Sequence, residues 1–176
     1  TSTTVTLPYN VTANTKLITA DSVYKGSSTT GSTTFTVSGV DLTATDFYVG
    51  ELYEMLYTFS QPFLKSEKAT ETGRYQIQRA FLEYANARTF DVDVVHNPTM
   101  SAPNKVTVTN TFATSSIQQG LIEGSADLQQ GFYKVGIQEK NNKLQLTIKN
   151  NVPYPSDFLS IDYEARAYSR GSRWRG

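Results

Sequence analysis

Nearly every apolar stretch of this chain repeats with a period of two, on a background crowded with Thr and Ser. Residues 88–95, Arg-Thr-Phe-Asp-Val-Asp-Val-Val, and residues 143–149, Lys-Leu-Gln-Leu-Thr-Ile-Lys, alternate apolar with polar. Successive side chains of a strand point to opposite faces, so this pattern describes strands with one buried face. The chain is therefore expected to be all-β, an antiparallel β-sandwich or a barrel-like arrangement of short strands. Two lobes are expected within it, a Thr/Ser-rich N-terminal β lobe over residues 1–60 and a sandwich-like lobe with a basic tail over residues 61–176. Phe90, Val92, Val94, Leu144, Leu146, Ile148 and Ile161 are expected to face inward, because each alternates with polar neighbours.

Composition narrows what such a fold can do. At 176 residues the chain can bury roughly 70% of its unfolded surface, which is ordinary for one domain or two small lobes. Sixteen basic residues balance sixteen acidic ones. A general nucleic-acid or membrane-surface binder needs a basic excess, and this chain has none. No apolar run approaches the ~20 residues of a membrane span, so no membrane insertion is expected of it. The absence of Cys removes disulfides and thiolate chemistry, without fixing a compartment. The chain starts at Thr1 without Met, which suggests processing or a piece of a longer protein.

Along the chain, strands are expected at Thr3 to Leu7, Leu17 to Thr19 and Thr33 to Val37, separated by turn clusters at residues 8–10 and 26–32. The turn at Ser38-Gly39-Val40-Asp41 leads into residues 46–50. Next comes the most aromatic strand, Leu52 to Phe59, with Tyr53, Met55, Tyr57 and Phe59 on one side. Pro62 ends it, and Lys65 to Thr72 reads as a charged surface loop. Residues 73–86 are ambiguous: Ile77, Ala80, Phe81 and Tyr84 fit a helix, whereas Tyr75, Ile77, Arg79 and Phe81 fit a strand. The lack of a helix cap at Gly73 favours the strand. Ala85-Asn86-Ala87 then offers a hairpin link to a strand at Phe90 to Val95. Further strands are expected at Lys105 to Phe112, alternating on Val106 and Val108, at Gly131 to Ile137 and at Leu144 to Ile148. The last two are joined by a polar hairpin tip at Asn141-Asn142. The prolines at 153 and 155 force an extended loop before a long final strand, Phe158 to Tyr168.

Catalytic chemistry has few carriers here, and no catalytic, cofactor-binding or metal site is expected. His96 is the only imidazole and reads as an exposed loop histidine before Asn97-Pro98; no G-x-S-x-G elbow accompanies it. One imidazole is too few for a transition-metal site, and no D-x-D-x-D-G loop marks a calcium site. Asp91 with Asp93, and Asp162 with Glu164, are i,i+2 carboxylate pairs of the kind that could flank a glycosidic bond. Both interrupt amphipathic strands and read as the wet face. Arg166, Arg170, Arg173 and Arg175 with Trp174 could grip phosphate. Their closeness to Asp162 and Glu164 favours intersubunit ion pairs with an aromatic anchor instead.

Three segments carry a family resemblance. Residues 47–60, Phe-Tyr-Val-Gly-Glu-Leu-Tyr-Glu-Met-Leu-Tyr-Thr-Phe-Ser, resemble a Y-x-G-x-x-Y-x-M-x-Y-x-F strand. Residues 73–84, Gly-Arg-Tyr-Gln-Ile-Gln-Arg-Ala-Phe-Leu-Glu-Tyr, resemble a G-R-x-Q-[LI]-x-R strand. Residues 150–173 are similar to a closing P-x-x-F-x-S-x-x-[WY]-E-[GA] segment followed by arginines, with Tyr163 where Trp is usual. All three, in this order, belong to the tail tubular protein B, or tail nozzle, family of short-tailed podovirus-type phages. Its members are several times longer, so the chain resembles their C-terminal portion.

The resemblance implies a structural virion protein of the phage tail and no enzyme. It implies a ring-forming homohexamer below the adaptor ring (tail tubular protein A), beside the tail fibres, closing the distal tail tube and conducting genome DNA during ejection. It carries over no active site or cofactor. Two other readings start from the residues. A carbohydrate-binding β-sandwich for host-surface glycans would use exposed aromatics such as Tyr9, Tyr24 and Trp174. A cell-wall hydrolase would use Asp91 or Asp162.

Overall fold

The computed structural model describes residues 1–19, 22–24, 26, 31–62, 64–65, 70–71, 75–114, 122–125 and 128–167. Among them the chain runs β1 (Ser2–Thr6), β2 (Thr15–Thr19), β3 (Ser22–Tyr24), β4 (Thr34–Ser38), β5 (Phe47–Glu51), β6 (Met55–Thr58), β7 (Leu64–Lys65) and β8 (Thr70–Glu71). It continues through β9 (Tyr75–Ala87), β10 (Thr89–His96), β11 (Val106–Ala113), β12 (Ile122–Ser125) and β13 (Gln129–Lys140). A 3-10 turn at Asn141–Lys143 precedes β14 (Leu144–Asn150) and β15 (Asp157–Ala167). The described pairings are all antiparallel. The sheets end in open edges and none closes on itself, so the architecture is sandwich-like and not a barrel. No described helix is long and apolar enough to cross a membrane.

Two clusters of buried side chains organise the packing. Leu7, Val11, Leu17, Tyr24, Phe35, Val37 and Leu42 form one, under the β1-β4 pair and the sheet ordered β12-β3-β2-β5. Thr3 is buried beside it because its hydroxyl donates to Val40 O at 3.1 Å and accepts from Leu42 N at 2.9 Å. That one side chain satisfies two backbone groups of the 40–42 turn, which would otherwise be buried at a cost. Strand β12 pairs with β3 although it lies a hundred residues away along the chain.

The second cluster lies between the sheet β11-β10-β14-β6 and the sheet β13-β9-β15. Phe90, Val92, Val94, Leu144, Leu146 and Ile148 are all buried in it, as their alternation predicts, and Ile161 is half-buried against it. Each fully buried side chain of this size contributes about 1.5–3 kcal/mol. At one end Phe90 stacks on Phe112 (centroids 4.9 Å apart) and meets Phe158 edge-on at 5.1 Å.

Residues 75–87 are a strand, and its phase shifts within it. Tyr75 and Ile77 are buried, then Ala80, Leu82 and Tyr84. Glu164 pairs with Arg79 and Ala165 with Ile77, so Gln78 is an extra residue on β9. This bulge turns Arg79 and Phe81 away from the face they would share with Ile77 in an unbroken strand.

Several connections differ from expectation for one reason. Asn86 does adopt φ 49°, but residues 85–87 are no hairpin link: β9 continues to Ala87 and Arg88 carries the chain into the other sheet. Asn141-Asn142 is likewise no hairpin tip, because β13 and β14 belong to opposite sheets. Asn141 is buried there and accepts from Tyr75 N at 3.4 Å. Period-two patterns locate strands but carry no signal of whether a link turns within a sheet or crosses between two. The aromatic strand is also shorter than expected. Leu52 N donates to Asn14 O at 3.1 Å, and β6 begins only at Met55. Lys65 to Thr72 does not read through as loop, since Leu64–Lys65 pairs with Thr70–Glu71.

Candidate assembly surfaces

Strand β15 places the predicted charged residues as its alternation requires. Ile161, Tyr163 and Ala165 pack against the core, while Asp162, Glu164 and Arg166 are exposed on the opposite face. Arg170, Arg173, Trp174 and Arg175 lie outside the described residues. The structure gives Glu164 a partner within its own sheet: Arg79 Nε lies 2.7 Å from Glu164 Oε2, and Nη2 donates to Oε1 at 3.2 Å. Turned to suit its neighbours, the Gln78 amide donates to Glu164 Oε1 and accepts from Arg166 Nε, both at 3.2 Å. Asp162 sits opposite Phe81, whose other neighbour across the ladder is Lys134 of β13. Two strands of one subunit thus already organise the charges that the sequence assigns to an intersubunit contact.

The carboxylates on the outward face of β11-β10-β14-β6 are held by neighbouring side chains. Thr111 Oγ1 donates to Asp91 Oδ1 at 2.6 Å, and Thr109 Oγ1 donates to Asp93 Oδ1 at 2.6 Å. Lys149 Nζ lies 2.6 Å from Asp93 Oδ2. Thr58 and Thr147 share a hydrogen bond at 3.0 Å. Asp93 is not on a wet face as expected but buried beneath these partners. Burial alone pushes its carboxyl up; the hydrogen bonds from Lys149 and Thr109 and the Lys149 charge outweigh that and hold it below the usual range. The hydrogen bond to Asp93 and its charge raise Lys149 in turn.

His96 is not a loop residue: it ends β10, half-buried, with Nδ1 3.2 Å from Glu139 Oε2 of β13. This contact ties the two sheets together. Among the described residues no group of three or more His, Asp or Glu is placed to hold a metal ion. Of the aromatics proposed for glycans, Tyr24 is buried in the N-terminal cluster and Tyr9 donates its hydroxyl to Val49 O at 3.4 Å. Burial removes Tyr24 as a stacking platform, whereas Tyr9 stays 39% exposed.

Sequence reasoning missed where apolar surface is left open. A groove of about 350 Å3 runs between β6 and β15, lined by Met55, Tyr57, Phe59, Phe158, Leu159 and Ile161. A second, of about 370 Å3, shares Met55 with it and is walled by Ile18, Tyr53, Val152 and Tyr154. Tyr53 is 80% exposed, Tyr57 57% and Leu159 61%. At the far side of the same sandwich, Val106 and Val108 of β11 are exposed too, although their alternation suggested a buried side. The available signal was the lack of any charge within residues 55–58 and 106–113.

Open antiparallel sheets, with no group of metal-ligating side chains among the described residues, define an all-β structural module. Comparison with known proteins agrees. Residues 1–174 match the family model described as bacteriophage nozzle protein. The chain belongs to that family, and is a structural component of the phage virion tail. No curated protein matches it.

Proposed function

We propose that this chain forms part of the wall of the tail nozzle, the tube that closes the distal tail and conducts genome DNA during ejection. Copies of it stand side by side in a ring, a homohexamer in podovirus-type tails, against the adaptor ring and beside the tail fibres. The observation that favours this most is the outer face of β11-β10-β14-β6, where Lys149 is paired with Asp93 and both aspartates accept from threonine hydroxyls, in a chain of zero net charge. A duplex moving past such a surface meets hydroxyls, carboxylates and a lysine that is already paired, which do not hold its phosphates. Transit without gripping is what a conduit needs. The C-terminal segment, from Asp162 through Arg175, serves contacts between neighbours through side-chain charges, which set orientation more than affinity, and not through strand pairing.

Particles assembled without the full-length protein test this reading. They are expected to package DNA, leak it and fail to infect, with recovery when the purified protein is added back. Particles that hold and eject their DNA normally without it would show that the chain is not part of the conduit. Removing Ser169 to Gly176 from the full-length protein is expected to leave a folded subunit that joins tails poorly. Fully infectious particles with that truncation would remove the tail segment from the contact.

A further inference from the structure

The sandwich treats the edges of its two sheets differently. The outer strands of β13-β9-β15 are charged, with Lys134, Glu139, Asp162, Glu164 and Arg166, and both pairings are broken by bulges. Charge and bulging are the usual protection of a strand edge against pairing with another chain. The outer strands of β11-β10-β14-β6 have neither. Residues Met55–Thr58 and Val106–Ala113 contain no charged side chain and no proline, and all three pairings of this sheet run without a register shift. Leu56 is 55% exposed, Tyr57 57%, Val106 48% and Val108 46%.

Direction supplies the second half of the inference. Four antiparallel strands alternate, so β11 and β6 run in opposite senses at opposite sides of the sheet. A copy related by rotation about an axis roughly parallel to the strands therefore presents its β11 antiparallel to the β6 of its neighbour. We propose that β6 of one copy pairs with β11 of the next, making β11-β10-β14-β6 a sheet continuous across subunits. Among the described residues no strand pairs with the outer side of β11 or of β6, although Tyr133 donates its hydroxyl to Thr111 O of β11; the occupant of each edge is a second copy of this chain, and specifically its opposite edge. The contact is heterologous: it uses different surfaces on the two partners and leaves one edge of each kind free, so it propagates into a closed ring or a filament. Tyr57 and the groove beside β15 add apolar area to a ladder that is only four residues long on the β6 side. The inference rests on the ring reading above and adds which strands make the ring.

Single charges on either edge test it. The full chain is expected to self-associate in sedimentation velocity. Leu56→Glu and Val108→Glu are each expected to stay folded, with unchanged circular dichroism, and to need at least tenfold more protein to associate. Mixing the two variants is the decisive arm. Val108→Glu keeps an intact β6 edge and Leu56→Glu an intact β11 edge, so the mixture forms a capped dimer and nothing larger. Tyr57→Glu with Thr107→Glu repeats the design at exposed neighbours if either first variant misfolds. Single variants that associate like the parent would place the contact elsewhere and leave the ring reading standing. A mixture that stays monomeric would overturn the edge pairing. A parent chain that is monomeric at every concentration would overturn both.

Discussion

Arg79 and Glu164 meet across the β9–β15 ladder in a two-pronged ion pair, one residue past the bulge that Gln78 puts into β9. Both side chains are more than a third exposed, at 35% and 44%, so solvent screens the pair. A pair of this kind contributes about 0.2–1 kcal/mol. Glu164→Gln is expected to lower stability by no more than that, and a double-mutant cycle with Arg79→Ala should give a coupling of the same size. A coupling well above it, read by chemical denaturation, would mean that the pair holds the bulge in place and not only the surface.

Asp93 and Lys149 are a different case, because the carboxylate is buried. Asp93→Asn is expected to cost about 1–3 kcal/mol at neutral pH, through the lost charge-assisted bonds. The pH dependence follows from the two shifts. Asp93 is depressed in the folded state, so its contribution is present above the ordinary carboxylate value of about 3.9 and fades as pH falls through the lower folded value. Lys149 is raised, so its contribution holds below about 10.4 and fades as pH rises through the higher folded value. Between roughly pH 5 and 9 the difference between parent and variant should be flat, and it should shrink in acid. A difference that grows below pH 3 would contradict the pairing.

Tyr163 points into the sandwich, where burial, and secondarily Tyr75, pushes its phenol up to about 12. A raised folded value favours the protonated form, so its share of stability is complete below the ordinary value of about 10 and is lost on rising through 12. Alkaline unfolding is expected over that range, and Tyr163→Phe should delay its onset. Absorbance of tyrosinate against circular dichroism measures both; an unchanged alkaline midpoint in the variant would remove Tyr163 as the cause.

Gly26 lies against Phe35, which is 1% exposed, and a Cβ there would sit 2.3 Å from the ring. Since the ring is buried and must shift to admit the methyl group, Gly26→Ala is expected to cost about 1–3 kcal/mol by overpacking. A thermal midpoint within a degree of the parent would show that the ring can move.

The strands themselves were legible in the sequence because period two is a local property. Alternation points Val92 and Leu146 inward, and each is 2% exposed. Val92→Asp or Leu146→Asp should then unfold the domain, since a lone buried carboxylate costs several kcal/mol; a soluble, cooperatively melting variant would refute that. What the sequence did not carry was non-local. Arg88 and Asn141 stand at crossings between sheets, and nothing in their neighbours distinguishes a crossing from a hairpin. Asp93 looked solvated because its covering partners, Thr109 and Lys149, come from strands far along the chain. Val106 and Val108 alternate like core residues, yet β11 lies at an edge that leaves them exposed. The three family segments, by contrast, are contiguous motifs and could be read without any fold.

The claim that this chain is wall of the distal DNA channel is tested most directly by cryo-electron microscopy of the intact phage tail. Density for the β11-β10-β14-β6 and β13-β9-β15 sandwich is expected to repeat around the tail axis at its distal end, enclosing the DNA path. Density for the sandwich that is confined to peripheral fibres, away from the channel, would contradict it.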